Sequence, residues 1–352
     1  MKYRGVVYDV GLNFNGDKFS VEQFDPALVE YDMRIIASDL HANAIRIEGE
    51  EIRRLEIATR SAHSMGLEVF FNPWKMNADI AESRTYFEEA AKTAERLRND
   101  GIDLVFVAGC EYTIFGRGVF PGDTFNERVM FMASQLVDGN LSDDLSPALR
   151  EKSVELNRVL RSFVEVIRAH FEGPVTYSAG SWELVDWDIF DIVGIDYYRR
   201  GESAEKYVSG LDRHRLDKPL AVLEVGCCAY EGAAARGDGG FVLLKGTNPD
   251  GTGMFEDDIV PTRSEEEQAD YVGTQFELLD KAGVDAVFIF VFSFPCMPTG
   301  DGARDLDMMS FSLVKHFAEH DPRSRAMPPW EPKASFHRLA GLFRAMSDGA
   351  GR

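Results

Sequence analysis

Basic residues are scarce in this sequence, and so are long apolar stretches. The chain has 38 Lys and Arg against 59 Asp and Glu, a formal net charge of −21. A surface of that sign repels nucleic acid and anionic membranes, so we expect neither as a partner. The longest uninterrupted apolar run, residues 286–292, is far too short to span a bilayer.

Cysteine and histidine are also scarce. Four cysteines in 352 residues are too few for a disulfide framework, and residues 1–5 enter a strand pattern without an apolar targeting region, which predicts a cytoplasmic protein. No Cys-x-x-Cys pair is present, so we interpret the cysteines as small buried residues rather than zinc ligands. The adjacent Cys227 and Cys228 leave a strained redox bond as an alternative.

No histidine is expected at the end of a strand. His316, for example, falls on or near a predicted helix. A Ser/His/Asp triad or a histidine metal site would need such residues at a shared edge of the sheet. We therefore predict no metal and no cofactor.

The sequence does contain a repeated alternation of buried strands and amphipathic helices. Strand patterns occur at residues 4–10, 42–47, 67–74, 101–111, 174–178, 192–197, 219–224 and 284–292. This order predicts one α/β domain over residues 1–352, a (β/α)8 TIM barrel with long loops after strands four, seven and eight. An open doubly wound sheet is the alternative, but the segment after the first strand lacks the glycine-rich phosphate-binding pattern.

Two buried strands end in a glutamate. Glu111 closes the run GIDLVFVAGCE, and Glu224 closes PLAVLE. Charged residues are rare at the end of a buried strand, and the C-terminal ends of barrel strands carry the active site. A pair of carboxylates at one barrel mouth suits glycosidic cleavage, with one acting as a neutral acid and the other as a nucleophile. The alternative is that each glutamate only pairs with a nearby arginine.

Other strand ends supply further polar groups to the same mouth. A carbohydrate or small glycoside would be bound by this set of carboxylate, amide, guanidinium and phenol groups: Asp9, Arg46, Glu48, Asn72, Asp196 and Tyr198. Trp74 and Trp182 are candidate sugar-stacking platforms, and packing under the loops is the alternative. The glycine-rich residues 227–261, which follow Glu224, are expected to form a mobile lid.

Several motifs together resemble the retaining clan of (β/α)8 glycoside hydrolases, in which the acid/base follows strand four and the nucleophile follows strand seven. They are residues 4–9 (RGVVYD), Arg46, 194–198 (GIDYY), 223–226 (LEVG), the helix pattern 265–283 and 332–336 (PKASF). The resemblance implies that Glu111 is the acid/base, that Glu224 is the nucleophile and that Tyr198 holds Glu224. It also implies a retaining reaction without a cofactor.

Three positions depart from the clan. Cys110 and Asp196 stand where the clan has Asn, and Phe292 or Phe294 stands in place of its strand-eight Trp. Since the Asn before the acid/base normally holds the sugar 2-hydroxyl, we expect the substrate to be a furanoside or an unusual sugar rather than an ordinary β-glucoside.

A second resemblance points to another class of function. Residues 109–115 (GCEYTIF) and 121–123 (PGD) are similar to a group of bacterial barrels labelled abortive infection proteins. That label denotes phage resistance and implies no reaction. The alternative function is therefore a phage-resistance or carbohydrate-binding barrel without glycosidase turnover.

Overall fold

Eight parallel strands form a closed barrel in the computed structural model, which describes residues 1–14, 18–136 and 145–350. The strands are β1 (Tyr3–Asp9), β2 (Ala44–Gly49), β3 (Glu68–Pro73), β4 (Leu104–Cys110), β5 (Val175–Ser178), β6 (Val193–Asp196), β7 (Leu220–Val225) and β8 (Ala286–Ile289). β1 pairs with both β2 and β8, and the other neighbours follow in order. A bridge between Ala179 and Ile195 joins β5 to β6 and closes the ring. The predicted TIM barrel is confirmed.

Helices surround the barrel, and their first residues show why they begin where they do. The longer ones span Pro26–Ser38, Ile52–Ser64, Ile80–Asn99, Pro147–Arg168, Glu265–Lys281 and Ala334–Ala350, with shorter ones at Tyr112–Phe115, Phe125–Ala133 and Ala204–Ser209. Asp25 and Ser146 accept hydrogen bonds from the first turn and each precedes a proline. Within the described part of the chain, no helix is both long and apolar enough to cross a membrane.

Strand residues contribute to two apolar layers, one inside the barrel and one between the strands and the helices. The barrel interior holds Val7, Phe70, Val105, Leu223 and Phe288, whereas the layer between strands and helices holds their alternate neighbours. Because side chains alternate along a strand, Asp9 shares the inward face of Val7. The polar side chains at the C-terminal strand ends thus lie next to the apolar side chains that fill the barrel interior.

Strict alternation fails at the ends of β4 and β7, where each strand has a β-bulge. Between β6 and β7, Ile195 pairs with Val222, but the next residue of β6, Asp196, pairs with Glu224. Leu223 is therefore an extra residue in β7. In β4, the pairing with β5 shifts in a similar way between Val107 and Cys110. Each bulge moves the following side chain to the other face of the sheet. Without them, Glu224 and Cys110 would face the helices.

Candidate active site

Seven strands place polar side chains around the C-terminal end of the barrel interior. This ring comprises Asp9, Glu48, Asn72, Cys110, Ser178, Asp196 and Glu224, all of them buried. Glu111 follows Cys110, and Tyr198 follows Asp196 by two residues. The structure therefore brings together every strand-end residue that the sequence analysis named. Ser178 was missed, because a serine at the end of a strand carries no distinctive signal.

Arg46 lies at the centre of the ring and is fully buried. Its Nη1 donates to Glu224 Oε1 at 2.8 Å, its Nε to Asn72 Oδ1 at 2.8 Å and its Nη2 to Glu48 Oε2 at 3.2 Å. Nη1 also reaches the carbonyl of Leu223 at 3.1 Å. Burying a guanidinium requires this degree of pairing, and the pairing fixes the orientation of the Glu224 carboxylate.

Glu224 accepts a second hydrogen bond on its other oxygen. Tyr198 Oη donates to Glu224 Oε2 at 2.9 Å. The Cys110 thiol lies 3.5 Å from Glu224 Oε1. With a guanidinium donating to one oxygen and a phenol donating to the other, the orientation of the Glu224 carboxyl group is fixed.

Asp196 is the third acidic group of this cluster. Ser178 Oγ donates to its Oδ1 at 2.6 Å, and the Cys110 sulfur lies 3.7 Å from its Oδ2. Burial and the nearby Glu224 carboxylate raise the pKa of Asp196 well above its usual value. A protonated Asp196 can donate a hydrogen bond as well as accept one.

Glu111 occupies a strained position at the tip of β4. Its φ of +39° lies in the left-handed region, which a non-glycine residue adopts at a cost of about 1–3 kcal/mol. Its amide donates to the carbonyl of Ser178 at 2.8 Å, which fixes the backbone against β5. Burial, and after it the carboxylates of Asp196 and Glu224, raise the pKa of Glu111 well above its usual value. Glu111 therefore stays protonated where an ordinary glutamate is ionised.

A buried glutamate that the sequence analysis missed anchors the backbone after Glu111. Glu183 accepts from Tyr177 Oη at 3.0 Å, from Thr113 Oγ1 at 2.7 Å and from the Thr113 amide at 3.1 Å. Tyr177 Oη in turn accepts from the Tyr112 amide at 2.6 Å. Burial raises the pKa of Glu183 to about 7. Glu183 thus fixes the two residues that follow Glu111.

Trp182 belongs to this anchor as well. Its Nε1 donates to Thr113 Oγ1 at 2.8 Å, and only 5% of the residue is exposed. Trp74 is equally buried, and its ring packs 4.7 Å from that of Phe115. Both tryptophans therefore have mostly covered faces in this structure, and their stacking role stays a prediction.

Asp9 and Glu48 form a second acidic pair across β1 and β2. They are register partners, and burial raises the pKa of Asp9 to about 6 and that of Glu48 to about 8. The buried Oδ2 of Asp9 and Nε1 of Trp74 have no hydrogen-bond partner. Arg46 and, less strongly, the Trp74 indole oppose this rise in the pKa of Glu48. This side of the ring offers unsatisfied polar atoms.

The structure separates the two phenylalanines that follow β8 and that were considered in place of the strand-eight Trp. Phe292 points away from the barrel interior and packs against Trp330, 5.6 Å away, and Tyr8. Phe290 and Phe294 instead pack against the inner layer and remain partly exposed. Phe290 lies 5.9 Å from Phe311, whose ring is 6.1 Å from Tyr198. Phe290 and Phe311 are the aromatic residues that the sequence analysis missed.

The structure also corrects the extent of the predicted lid. Residues 227–230 and Ala233 are buried and belong to the core rather than to a surface loop. None of residues 241–252 is buried, and residues 256–260 are exposed. A hairpin joins Leu244–Thr247 to Gly253–Phe255, and Gly253 and Phe255 of its second strand are buried. The segment borders the site through Phe241, whose ring lies 6.4 Å from Phe311.

Two sequence interpretations of the thiols and histidines need revision. Cys110, Cys227 and Cys228 are buried and free, but Cys296 is exposed. His316 lies in a short strand, Val314–His316, rather than on or near a helix, and its Nε2 lies 2.6 Å from Ser293 Oγ. Burial lowers the pKa of His316 to about 4, so the imidazole is neutral.

One group of side chains in the described residues has a spacing that a metal could bridge. The sulfur of Cys110 and carboxylate oxygens of Asp196 and Glu224 lie within 4.8 Å of one another. Both oxygens of Glu224, however, already accept hydrogen bonds, and Arg46 supplies the positive charge. The cluster is therefore part of a buried ion-pair network.

A cavity of about 580 Å³ lies away from the ring, on the outside of the barrel. Arg199, Tyr271 and Gln275 are among the residues that line it. None of the strand-end carboxylates reaches it. The chemistry of the strand ends, rather than cavity size, marks the candidate active site.

Several solved structures with a similar fold are glycoside hydrolases by their descriptions. A GH113 β-1,4-mannanase in a complex matches with a TM-score of 0.58 and 14% identity over 98% of this chain and 99% of that one. The GH113 β-mannanase AaManA from Alicyclobacillus acidocaldarius, in complex with ManMIm, matches with a TM-score of 0.55 and 14% identity over 98% of each chain. The apo structure of β-glucosidase 1317 matches with a TM-score of 0.54 and 13% identity over 98% of each chain.

At 13–14% identity these matches establish a shared fold. None of the three supports the resemblance to abortive infection proteins, which stays a prediction. A scan against protein-family models and a search of curated proteins each find no match.

Proposed function

We propose that this protein is a retaining glycoside hydrolase in which Glu224 is the nucleophile and Glu111 the general acid/base. One observation carries the proposal: two carboxyl groups at one barrel mouth lie in opposite environments. Arg46 and Tyr198 donate hydrogen bonds to Glu224, whereas burial, and after it the neighbouring carboxylates, raise the pKa of Glu111. Glycosidases assign acid and nucleophile by such a contrast.

The proposed reaction has two steps. In the first, a Glu224 oxygen forms a bond to the anomeric carbon as the glycosidic bond breaks, and Glu111 gives its proton to the departing oxygen. In the second, the Glu111 carboxylate removes a proton from water, whose oxygen attacks the anomeric carbon and breaks the bond to Glu224. The sugar is released with its original configuration, and both glutamates return to their starting states.

The proposed substrate is a small carbohydrate or glycoside bound by a single barrel domain. The sugar hydroxyls would be bound by Asp9, Arg46, Glu48, Asn72, Asp196 and Tyr198, with Trp74 and Trp182 as further contacts. Asp196 can take the place of an amide as a hydrogen-bond donor, because burial favours its protonated form. We infer a furanoside or an unusual sugar, since Cys110 is a weak donor where the related enzymes present an amide.

The similarity in fold to glycoside hydrolases supports hydrolysis of a glycosidic bond by analogy. The similar structures include a β-1,4-mannanase and a β-glucosidase. A TIM barrel alone supports many reactions, so the weight of the proposal rests on Glu111 and Glu224 rather than on the fold.

The test is a screen of aryl glycosides, including hexosides and pentofuranosides, against wild type and Glu224→Gln. Glu151→Gln, on an exposed face of the helix Pro147–Arg168, is the matched control. We expect turnover by wild type and the control, and its loss in Glu224→Gln. A 2-fluoro derivative of the accepted sugar should label the peptide that contains Glu224, detected by mass spectrometry.

The same screen distinguishes the proposed glycoside hydrolase from the alternative function. A phage-resistance or carbohydrate-binding barrel would bind sugars without hydrolysis that depends on Glu224. Sugar binding by calorimetry, with neither turnover nor labelling across the whole panel, would overturn the glycosidase proposal.

A further inference from the structure

We propose that Phe311 and Phe241 form a binding subsite for an apolar aglycone, aromatic or alkyl, beside the nucleophile candidate. Phe241 lies in the loop after β7, and Phe311 lies in the loop after β8. Naming the bound group an aglycone rests on the proposed function. Binding of an apolar group at these two residues does not, and it can be measured without turnover.

A row of three aromatic rings leads outward from Glu224. Tyr198 Oη donates to Glu224 Oε2 at 2.9 Å, which places the first ring beside the nucleophile candidate. The centroid of the Tyr198 ring is 6.1 Å from that of Phe311, and the Phe311 centroid is 6.4 Å from that of Phe241. Glu224 is 7% exposed, whereas Phe241 is 45% exposed. The row therefore runs from a buried carboxyl group to the surface, where a leaving group must depart.

Close packing between the ends of β7 and β8 places Phe311 near the nucleophile candidate. A Cβ on Gly226, two residues after Glu224, would lie 2.3 Å from the carbonyl oxygen of Phe290 and 3.6 Å from Phe311 Cβ. Because the first distance is too short for any side chain, only glycine fits at this position. The centroids of the Phe290 and Phe311 rings are 5.9 Å apart. Gly226 thus lets both phenylalanines approach the strand that carries Glu224.

A buried polar network holds the backbone on both sides of Phe311. Ser310 Oγ donates to the Asp307 carbonyl at 2.8 Å, and Ser312 Oγ donates to Asp307 Oδ1 at 3.1 Å. Lys333 Nζ donates to Ser312 Oγ and to Asp307 Oδ2, each at 3.2 Å. A satisfied buried network makes a segment rigid, yet the Phe311 residue between the two serines is partly exposed. A rigid, accessible ring can bind a ligand with little loss of conformational entropy.

Exposed apolar side chains are concentrated in the loop that carries Phe241. In the described part of the chain ten large apolar side chains are exposed, and five of them lie in residues 241–260: Phe241, Val242, Met254, Ile259 and Val260. Single exposed apolar residues are ordinary, but such a concentration marks a binding surface. A further sugar unit would need hydrogen-bond partners for its hydroxyls, and the side chains of Phe241 and Val242 offer none. An apolar aglycone therefore suits this end of the site.

The first experiment measures the binding of 4-methylumbelliferone, a free aromatic aglycone, by fluorescence anisotropy. The variants are Phe241→Ser and Phe311→Ala, and Leu216→Ser is the matched control, since Leu216 is 48% exposed and precedes β7 at the opposite end of the barrel. A contact between aromatic rings contributes about 2- to 10-fold in affinity, so Phe241→Ser should weaken binding by that factor and Phe311→Ala by at least as much. Leu216→Ser should bind as wild type does. Melting temperatures establish that each variant is folded.

The second experiment uses the methyl, butyl and octyl glycosides of a sugar that the enzyme hydrolyses. Each buried methylene contributes up to about fourfold in affinity, so kcat/KM of wild type should rise with chain length, mainly through a lower KM. Phe241→Ser should reduce the ratio of kcat/KM between the octyl and methyl glycosides. Leu216→Ser should leave that ratio unchanged.

Three outcomes would overturn the proposal. The first is equal affinity for 4-methylumbelliferone in wild type, Phe241→Ser and Phe311→Ala. The second is binding of mannobiose but not of 4-methylumbelliferone at these residues, which would make them a further sugar subsite. The third is a dimer in sedimentation that Phe241→Ser dissociates without any change in 4-methylumbelliferone affinity. Absence of turnover across the glycoside panel, beside binding that depends on Phe241 and Phe311, would count against the proposed function and leave the apolar subsite standing.

Discussion

Arg46 Nη1 lies 2.8 Å from Glu224 Oε1, and the two side chains are 0% and 10% exposed. Breaking a buried pair by removing one partner leaves an uncompensated charge, which costs about 3–5 kcal/mol. The same guanidinium holds Asn72 and Glu48, so it ties the nucleophile candidate to β2 and β3. Orientation of Glu224 is therefore a property of the whole barrel mouth, and the following predictions test its parts.

Glu111→Ala should affect substrates according to their leaving groups. A general acid contributes roughly 10²- to 10⁴-fold, and a good leaving group such as dinitrophenolate needs little protonation. We expect kcat/KM to fall by about that factor for alkyl or methylumbelliferyl glycosides and far less for dinitrophenyl glycosides. Steady-state kinetics on the two series provides the measurement. A uniform loss across leaving groups would contradict the acid role.

Tyr198→Phe should slow catalysis without unfolding the protein. A hydrogen bond to a charged group contributes about 1.5–3 kcal/mol, so its loss from Glu224 predicts a fall in kcat of roughly 10- to 150-fold. Tyr8→Phe is a matched control, because Tyr8 Oη donates to Asp32 on the helix side of β1. The control should lower the melting temperature and leave kcat nearly unchanged. Equal loss of kcat in both variants would argue against a specific role for Tyr198.

Asp196→Ala should damage activity far more than Cys110→Ala. An aimed hydrogen bond to a transition state contributes roughly 3–4 kcal/mol, or two to three decades in rate, and a thiol donates weakly. Ser178→Ala should give an intermediate loss, because Ser178 orients Asp196 at 2.6 Å. Simple aryl β-glucosides should be poor substrates beside the preferred sugar. Efficient β-glucoside hydrolysis that Cys110→Ala abolishes would refute this reading of the site.

Asp32 should make the protein less stable as pH rises. It is buried between Tyr8 and Trp330, and burial raises its pKa to about 7, against about 3.9 in the unfolded chain. Between pH 4 and 7 the folded state binds more protons than the unfolded state, so the free energy of unfolding falls across that window, by roughly 1–4 kcal/mol. Urea titrations from pH 4 to 8 should show this slope.

Asp32→Asn should reduce that slope by the share due to Asp32, since burial also raises the pKa of Asp9 to about 6 and that of Glu183 to about 7. Asp212→Asn, at an exposed side chain, is the control and should leave the slope unchanged. A pH dependence identical in all three proteins would show that Asp32 does not titrate in this range.

Shortening the exposed hairpin should spare the fold, whereas removing the whole loop should not. Replacement of residues 247–253 by Asn-Gly removes mainly exposed residues, so we expect a melting temperature close to that of wild type and weaker discrimination between substrates. Deletion of residues 227–261 also removes buried Cys228 and Tyr230, and soluble protein should be lost. Unaltered relative kcat/KM values in the shortened variant would show that the hairpin does not contact the substrate.

Much of the fold follows from local sequence, because buried parallel strands and amphipathic helices leave distinct periodic patterns. The eight strands, their order and the polar residues at their ends could all be predicted. Caps such as Asp25 and Ser146 mark helix starts by chemistry that acts within one turn. Residues such as Ser178 and Glu183 could not be chosen, since their partners lie on other strands and loops.

The sequence by itself determined that Glu111 and Glu224 close buried strands of a (β/α)8 barrel. Only the tertiary structure decided which way the side chains at those strand ends point. Strict alternation would turn Glu224 toward the helices, and one extra residue at Leu223, opposite β6, turns it into the barrel. A bulge is a mismatch between two neighbouring strands, and so it depends on pairing that no single strand encodes. The same holds for the shift before Cys110, which arises where β4 meets β5.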